Sequence, residues 1–269
     1  MIQSSESSSG SEPRPVSPET AATAERLGAE ALALRIVDVV DEAPALRRLT
    51  VEDARLGEAT WHPGQDLTLA IPGGGARSLK RRYTIRRLDR AGGTADLQVL
   101  LHGDGPGARW AAAVQPGDEV EAVGPRGKIW VRPDAAWHLF VGDEAYLPAT
   151  FAMVESLPAG AEATVVLEVG ADVGRQPHGA AATVRGPVWV ERNPVGAGEP
   201  GVQLLDALES LGLPDGGAGG AAYVGGEAKT VAAIRGWLIG HGWPAEAIAA
   251  KAYWRADKSN QDHGEPEKD

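Results

Sequence analysis

Near Pro133 the chain changes texture, and that change constrains the fold more than any other feature. Upstream, short β-type runs follow one another at close intervals: Ile36-Val37-Asp38-Val39-Val40, Leu46-Arg47-Arg48-Leu49-Thr50-Val51, Asp66-Leu67-Thr68-Leu69-Ala70-Ile71, a basic run at 82–87, Asp96-Leu97-Gln98-Val99-Leu100-Leu101, Val120-Glu121-Ala122-Val123 and Lys128-Ile129-Trp130-Val131. About seven short strands with turn residues between them predict an antiparallel barrel or sandwich. One short helix fits at 108–114. Downstream, apolar runs at 138–141, 164–169, 187–190, 221–224 and 248–254 alternate with helical spacing at 149–157, 202–211 and 230–239. Strands alternating with helices predict a parallel α/β sheet. The expected fold class is therefore a β-barrel plus α/β. Residues 31–134 form the barrel, 135–256 the α/β domain, and 1–30 and 257–269 disordered tails, with the Ala- and Glu-rich stretch 21–33 either a short helix or loose. A chain of 269 residues accommodates two such domains.

Composition excludes several functions. The net charge of −11 argues against nucleic acid as a partner. The absence of cysteine removes disulfides, thiolate zinc sites, a catalytic thiol and iron–sulfur clusters. The six histidines show no metal-ligand spacing, so no metal site is assigned. The Ser-rich start has no apolar stretch after a basic segment, and no apolar run reaches the length of a membrane span. A cytoplasmic monomer is expected.

Against this acidic background, Lys80, Arg81, Arg82, Arg86 and Arg87 crowd around Tyr83-Thr84. On a strand, Arg81, Tyr83 and Ile85 share one face and Arg82, Thr84 and Arg86 the other. Guanidinium, ring and hydroxyl together suit a planar anionic ligand; a solvated basic face on a barrel strand accounts for the charges equally well. His102-Gly103-Asp104-Gly105-Pro106-Gly107-Ala108-Arg109-Trp110 leads from a strand into a helix. It is either an ordinary join or an anion site at a helix N-terminus. Val141-Gly142-Asp143-Glu144-Ala145-Tyr146 is a tight turn at the carboxyl end of the first α/β strand, where such sheets bind ligands. Tyr223-Val224-Gly225-Gly226-Glu227 is a second strand–glycine–helix switch, and Ala252-Tyr253-Trp254-Arg255 ends the last strand.

Arg81-x-Tyr83-Thr84 resembles the flavin motif of the ferredoxin–NADP reductase superfamily. Taken in order, the stretches above resemble the siderophore-interacting proteins, which are FAD-dependent ferric-siderophore reductases. The resemblance spans roughly residues 34–256. It implies FAD held by Arg81 at the phosphate, Tyr83 along the ribityl chain and ring, and Thr84 near the ring N5, with Arg86 in the same motif. His102, Gly105, Pro106, Gly107 and Ala108 would hold the pyrophosphate. Gly142, Asp143, Glu144, Gly225, Gly226, Glu227 and Trp254 would belong to the cofactor site on the α/β side. The resemblance leaves Lys80, Arg126, Lys128, Lys251 and Arg255 as candidates to meet an anionic ferric siderophore.

The sequence departs from the family pattern at four places. Ala108 stands where the family has Ser, Tyr146 or Ala145 where it has Thr, Ala252 where it has Gly, and Thr68 about where a Lys is often found. The implied activity is NAD(P)H-dependent reduction of an imported ferric chelate. Hydride passes to the flavin and single electrons pass to Fe(III); the weaker grip of a siderophore on Fe(II) then frees the iron. The flavin carries this chemistry, so no side chain is assigned as catalytic. A ferredoxin is an alternative donor, and Arg175 and Arg192 are the arginines available to a 2′-phosphate. A general flavin or quinone reductase and a non-catalytic siderophore-binding protein are the alternatives.

Overall fold

The computed structural model describes residues 13–73, 78–192 and 201–256. Six strands close a barrel: β1 (Ala31–Ala43), β2 (Leu46–Glu52), β3 (Asp66–Pro72), β4 (Ser78–Asp89), β5 (Thr94–Leu100) and β6 (Glu119–Arg126), joined in the order β1-β2-β5-β4-β3-β6. Every pairing is antiparallel. Period-2 alternation sends Leu32, Leu34, Ile36, Leu49, Val51, Leu67, Leu69, Ile71, Leu97 and Val99 into one core. Helix α2 (Pro106–Ala113) packs Ala111 against it.

The second unit comprises β7 (Trp137–Asp143), α3 (Leu147–Ser156), β8 (Glu162–Val169), β9 (Thr183–Glu191), α4 (Val202–Ser210), β10 (Gly220–Glu227), α5 (Ala228–Gly240) and β11 (Ile248–Trp254). Its sheet runs β11-β10-β7-β8-β9, all parallel. Apolar clusters cover both faces, which is why these strands read as near-continuous hydrophobic runs. Strand order reverses between β7 and β10. At that switch point the following helices leave in opposite directions and open a crevice at the carboxyl ends.

Three expectations are corrected. Residues 18–27, assigned to a disordered tail, form helix α1 (Pro18–Leu27). Ser17 caps it, and Glu121 of β6 accepts hydrogen bonds from the Ser17 amide and hydroxyl, both at 2.6 Å, and from the Thr20 hydroxyl. The helix is thus docked through polar contacts 101–104 residues away in sequence, which low apolar content conceals. The parts of the expected tails at 1–12 and 257–269 lie outside the described residues. Lys128–Val131 is not a strand: the barrel closes without it, and the chain leaves β6 at Gly127, whose φ is +123°. Finally, Arg86 does not share a face with Thr84 on β4. Register shifts between Ile85 and Arg87, so Arg86 is the extra residue of a bulge. It is 5% exposed and makes a two-pronged ion pair with Glu155 of α3, at 2.7 and 2.5 Å. This pair is one link between the two domains. Among the described residues no helix is long and apolar enough to cross a membrane.

Candidate functional site

A cleft of about 510 Å³ lies where the barrel faces the carboxyl edge of the sheet. Its barrel wall is β4 and the turn into α2. Gly105 is the N-cap of α2 and offers no side-chain oxygen. Pro106 has no N–H, and helix geometry leaves the N–H groups of Gly107 and Ala108 without an intrahelical acceptor. The free N–H groups and the positive end of the helix dipole make an anion seat. Arg81 and Tyr83 reach the same place. A Cβ on Gly107 would sit 3.0 Å from the Tyr83 hydroxyl and 3.7 Å from the Arg81 side chain, so glycine permits the close approach. Burial pushes the Tyr83 phenol up to about 12, which keeps its proton available for donation. Its ring stacks near Trp110 at 6.1 Å. Guanidinium, phenol and uncapped helix end are the donor set that a pyrophosphate-bearing flavin needs, so the residues present fit FAD. Ala108 removes a hydroxyl but leaves its backbone N–H in place.

The opposite wall is built around Asp143, the last residue of β7. Its Oδ1 accepts from the Ala145 amide at 2.9 Å; Oδ2 accepts from the Glu227 amide at 2.8 Å and the Trp254 indole at 2.7 Å. One buried carboxylate thereby ties together the ends of β7, β10 and β11. Glycines make this junction possible. A Cβ on Gly142 would collide with the Gly225 carbonyl, and one on Gly226 (φ +139°) with the Asp143 carboxylate at 2.6 Å. Glu227 caps α5, accepting from the Lys229 and Thr230 amides. Gly142, Asp143, Gly225, Gly226 and Glu227 therefore shape the wall from beneath, whereas Glu144, Ala145, Pro148 and Trp254 line it.

Arg192 organises the remaining charge. It lies 2.6 Å from Glu144, 3.0 Å from Glu168 and 3.8 Å from Asp143, and its guanidinium sits over the Trp254 ring at 5.6 Å. Burial pushes the Asp143 carboxyl up against the pull of Arg192 and the hydrogen-bond donors. Burial likewise raises Glu144, to about 7, with Arg192 opposing and Asp143 reinforcing the rise.

The expected site residues separate into groups. Arg81, Tyr83, Thr84, His102, Gly105, Pro106, Gly107, Ala108, Glu144 and Trp254 come together in the cleft, with Lys80, Lys251 and Arg255. Burial pushes the Tyr253 phenol well up, with Thr84 beside it opposing the rise. Arg126 instead lines a separate cavity of about 250 Å³ beneath α1, and Lys128 lies outside the cleft lining. Sequence reasoning missed Asp66, which is 1% exposed, accepts two bonds from Arg82 at 2.9 and 2.7 Å and one from Lys251 at 2.9 Å, and so joins the domains across the cleft floor. An acid opening an otherwise apolar strand was the available signal.

Comparison with known proteins bears on this geometry. The family model described as "Siderophore-interacting FAD-binding domain" matches residues 60–129, and that described as "Siderophore-interacting protein" matches residues 135–257. Ferric vibriobactin reductase ViuB of Vibrio cholerae is 31% identical over 193 residues, covering 70% of this chain and 69% of the relative. The chain belongs to the siderophore-interacting protein family. Among solved structures, a siderophore utilization protein from T. fusca is 27% identical with a TM-score of 0.73, covering 87% of this chain and 96% of that one. SipS from Aeromonas hydrophila, a siderophore-interacting protein, is 27% identical with a TM-score of 0.72, covering 86% and 93%. The barrel-plus-sheet arrangement is also the fold of a ferredoxin–NADP+ reductase from Plasmodium falciparum, 12% identical with a TM-score of 0.64, and the family model over residues 60–129 is that of an FAD-binding domain.

Proposed function

We propose that the protein reduces ferric siderophores at the expense of NAD(P)H and releases Fe(II). The observation that carries this reading is the convergence of Arg81, Tyr83 and the uncapped end of α2 in a cleft facing the switch point of the parallel sheet. Bound FAD supplies the conversion between a two-electron hydride donor and one-electron Fe(III) acceptors.

The chain's own residues bind and orient. Arg81 and the Gly107 and Ala108 amides would hold the pyrophosphate. Tyr83 would pack against the ribityl chain and donate a hydrogen bond from its hydroxyl, and Thr84 would lie on the ring side. The β7 and β10 turns, with Trp254 beside them, would hold the nicotinamide. Five cationic side chains line the cleft (Lys80, Arg81, Arg82, Lys251, Arg255) against three carboxylates (Asp66, Asp104, Glu144). In a chain of net charge −11 this is a local positive field, and it suits an anionic ferric chelate. Lys80, Lys251 and Arg255 are the residues assigned to meet it.

The test is capture of Fe(II) by a colour-forming chelator, with a ferric catecholate siderophore as substrate and NADPH, NADH or a reduced ferredoxin as donor. Colour that depends on protein and NADPH or NADH is the expected result. Colour only with the ferredoxin would overturn the nicotinamide part of the reading, and no colour with any donor would overturn the whole.

A further inference from the structure

Glu144 has an unusual setting for a carboxyl group. It is 8% exposed, yet it lines the cleft at the switch point of the sheet. Its Oε2 accepts from the Gly170 amide at 3.0 Å and its Oε1 meets Arg192 at 2.6 Å. The charged and titratable groups around it come from every strand end nearby. They are Asp143 on β7, Glu168 on β8, Arg192 after β9, Glu227 on β10, and Arg255 following Trp254 of β11; His102, from the turn before α2, lies 6.4 Å from the Trp254 ring. Three carboxylates, Asp143, Glu144 and Glu168, share the one guanidinium of Arg192. Such an excess of buried negative charge is relieved by a proton. Three N–H donors address Asp143, against one N–H and one guanidinium nitrogen for Glu144, and neither Asp143 nor Glu168 lines the cleft, so Glu144 is the cleft-facing group of the three that takes it. The other cleft carboxylates are set differently: Asp66 is clamped by Arg82 and Lys251, and Asp104 is exposed beside the helix end.

The reaction proposed above has a proton to dispose of. It balances as NAD(P)H + 2 Fe(III) → NAD(P)⁺ + 2 Fe(II) + H⁺. The hydride's two electrons reduce two ferric ions, and its proton stays behind in the cleft. We propose that Glu144 takes up this proton and passes it to solvent, with Arg192 setting the pH at which it does so. This rests on the ferric-reductase reading.

The geometry fixes the sign of each effect. Ionised Glu144 is the working form, so turnover rises with pH through a limb near neutrality and then levels off. Glu144→Gln removes the limb and lowers the plateau, by roughly 100-fold, the lower end for loss of a proton-transfer group. Arg192 favours ionised Glu144, so Arg192→Gln moves the limb to higher pH, by about one unit.

The experiment follows NAD(P)H oxidation from about pH 5 to about pH 9, once with a ferric siderophore and once with ferricyanide, a one-electron acceptor needing no siderophore site. A parallel infrared titration of the full-length protein follows the protonated-carboxyl band, which does not depend on turnover. The expected results are a band component that titrates near neutrality in the wild type and is missing from Glu144→Gln, and an upward-shifted limb in Arg192→Gln. A limb that survives in Glu144→Gln would overturn the proposal, as would an unmoved or lowered limb in Arg192→Gln. Activity with ferricyanide alone would refute siderophore reduction and leave the proton assignment to be judged by the limb. No oxidation with either acceptor would overturn both. Should Glu144→Gln fail to fold, Arg192→Gln and the wild-type infrared titration decide.

Discussion

Replacing Arg81 and Tyr83 together by alanine is expected to leave a folded protein that purifies with little or no flavin. Both side chains meet at Gly107 over the uncapped end of α2, and neither belongs to the fully buried core. A charge-assisted bond from guanidinium to phosphate contributes about 1.5–3 kcal/mol, and the Tyr83 hydroxyl and ring add about 1 kcal/mol more. A loss of about 2.5–4 kcal/mol corresponds to a Kd for FAD raised by roughly 60- to 700-fold. Flavin absorbance per mole of protein and calorimetric FAD binding measure this, with a far-ultraviolet circular dichroism spectrum to show that the fold survives. Unchanged flavin content in the double variant would remove β4 from the flavin site.

The second large effect concerns stability. Asp143→Ala leaves three donors without their acceptor: the amides of Ala145 and Glu227 and the indole of Trp254. Each unsatisfied buried group costs about 1–3 kcal/mol; with partial relaxation the expected loss is about 3–5 kcal/mol, a Tm lower by roughly 10 °C. Asp143→Asn separates charge from shape. Its amide keeps one acceptor oxygen, best turned toward Glu227 and Trp254, and sets its nitrogen against the Ala145 N–H. Its expected cost is about 1–3 kcal/mol. Thermal and denaturant melts of the two variants give the comparison. An Asp143→Asn protein as stable as wild type would show that the carboxylate is not the tie between β7, β10 and β11.

The resemblance and the residue patterns made much of this readable in advance. Alternation in β3 and β5, unbroken apolar runs in β7 and β8, and glycines at two strand ends are local signals. They led to the barrel, the parallel sheet and the cleft residues of β4 and α2. What escaped depends on distant partners. Helix α1 is held by Glu121, a residue whose role in docking no window around Pro18–Leu27 contains. Arg86 shares its expected face with Thr84 only if the strand is regular, and the bulge at that position hands it to Glu155. Arg126 sits at the end of β6, where register shifts against β3 and the side chain faces the cavity under α1. Arg192 could be noted as a cation near the sheet's edge, but its three carboxylate partners come from two other strands and emerge only from the topology.

The most direct test of the central claim is an anaerobic absorption titration of the purified protein, first with NADPH and then with a ferric siderophore. The account predicts a flavin spectrum that bleaches on adding NADPH and returns on adding the ferric chelate. A protein that stays colourless after incubation with FAD, or a flavin band that the ferric chelate fails to restore after reduction, would contradict it.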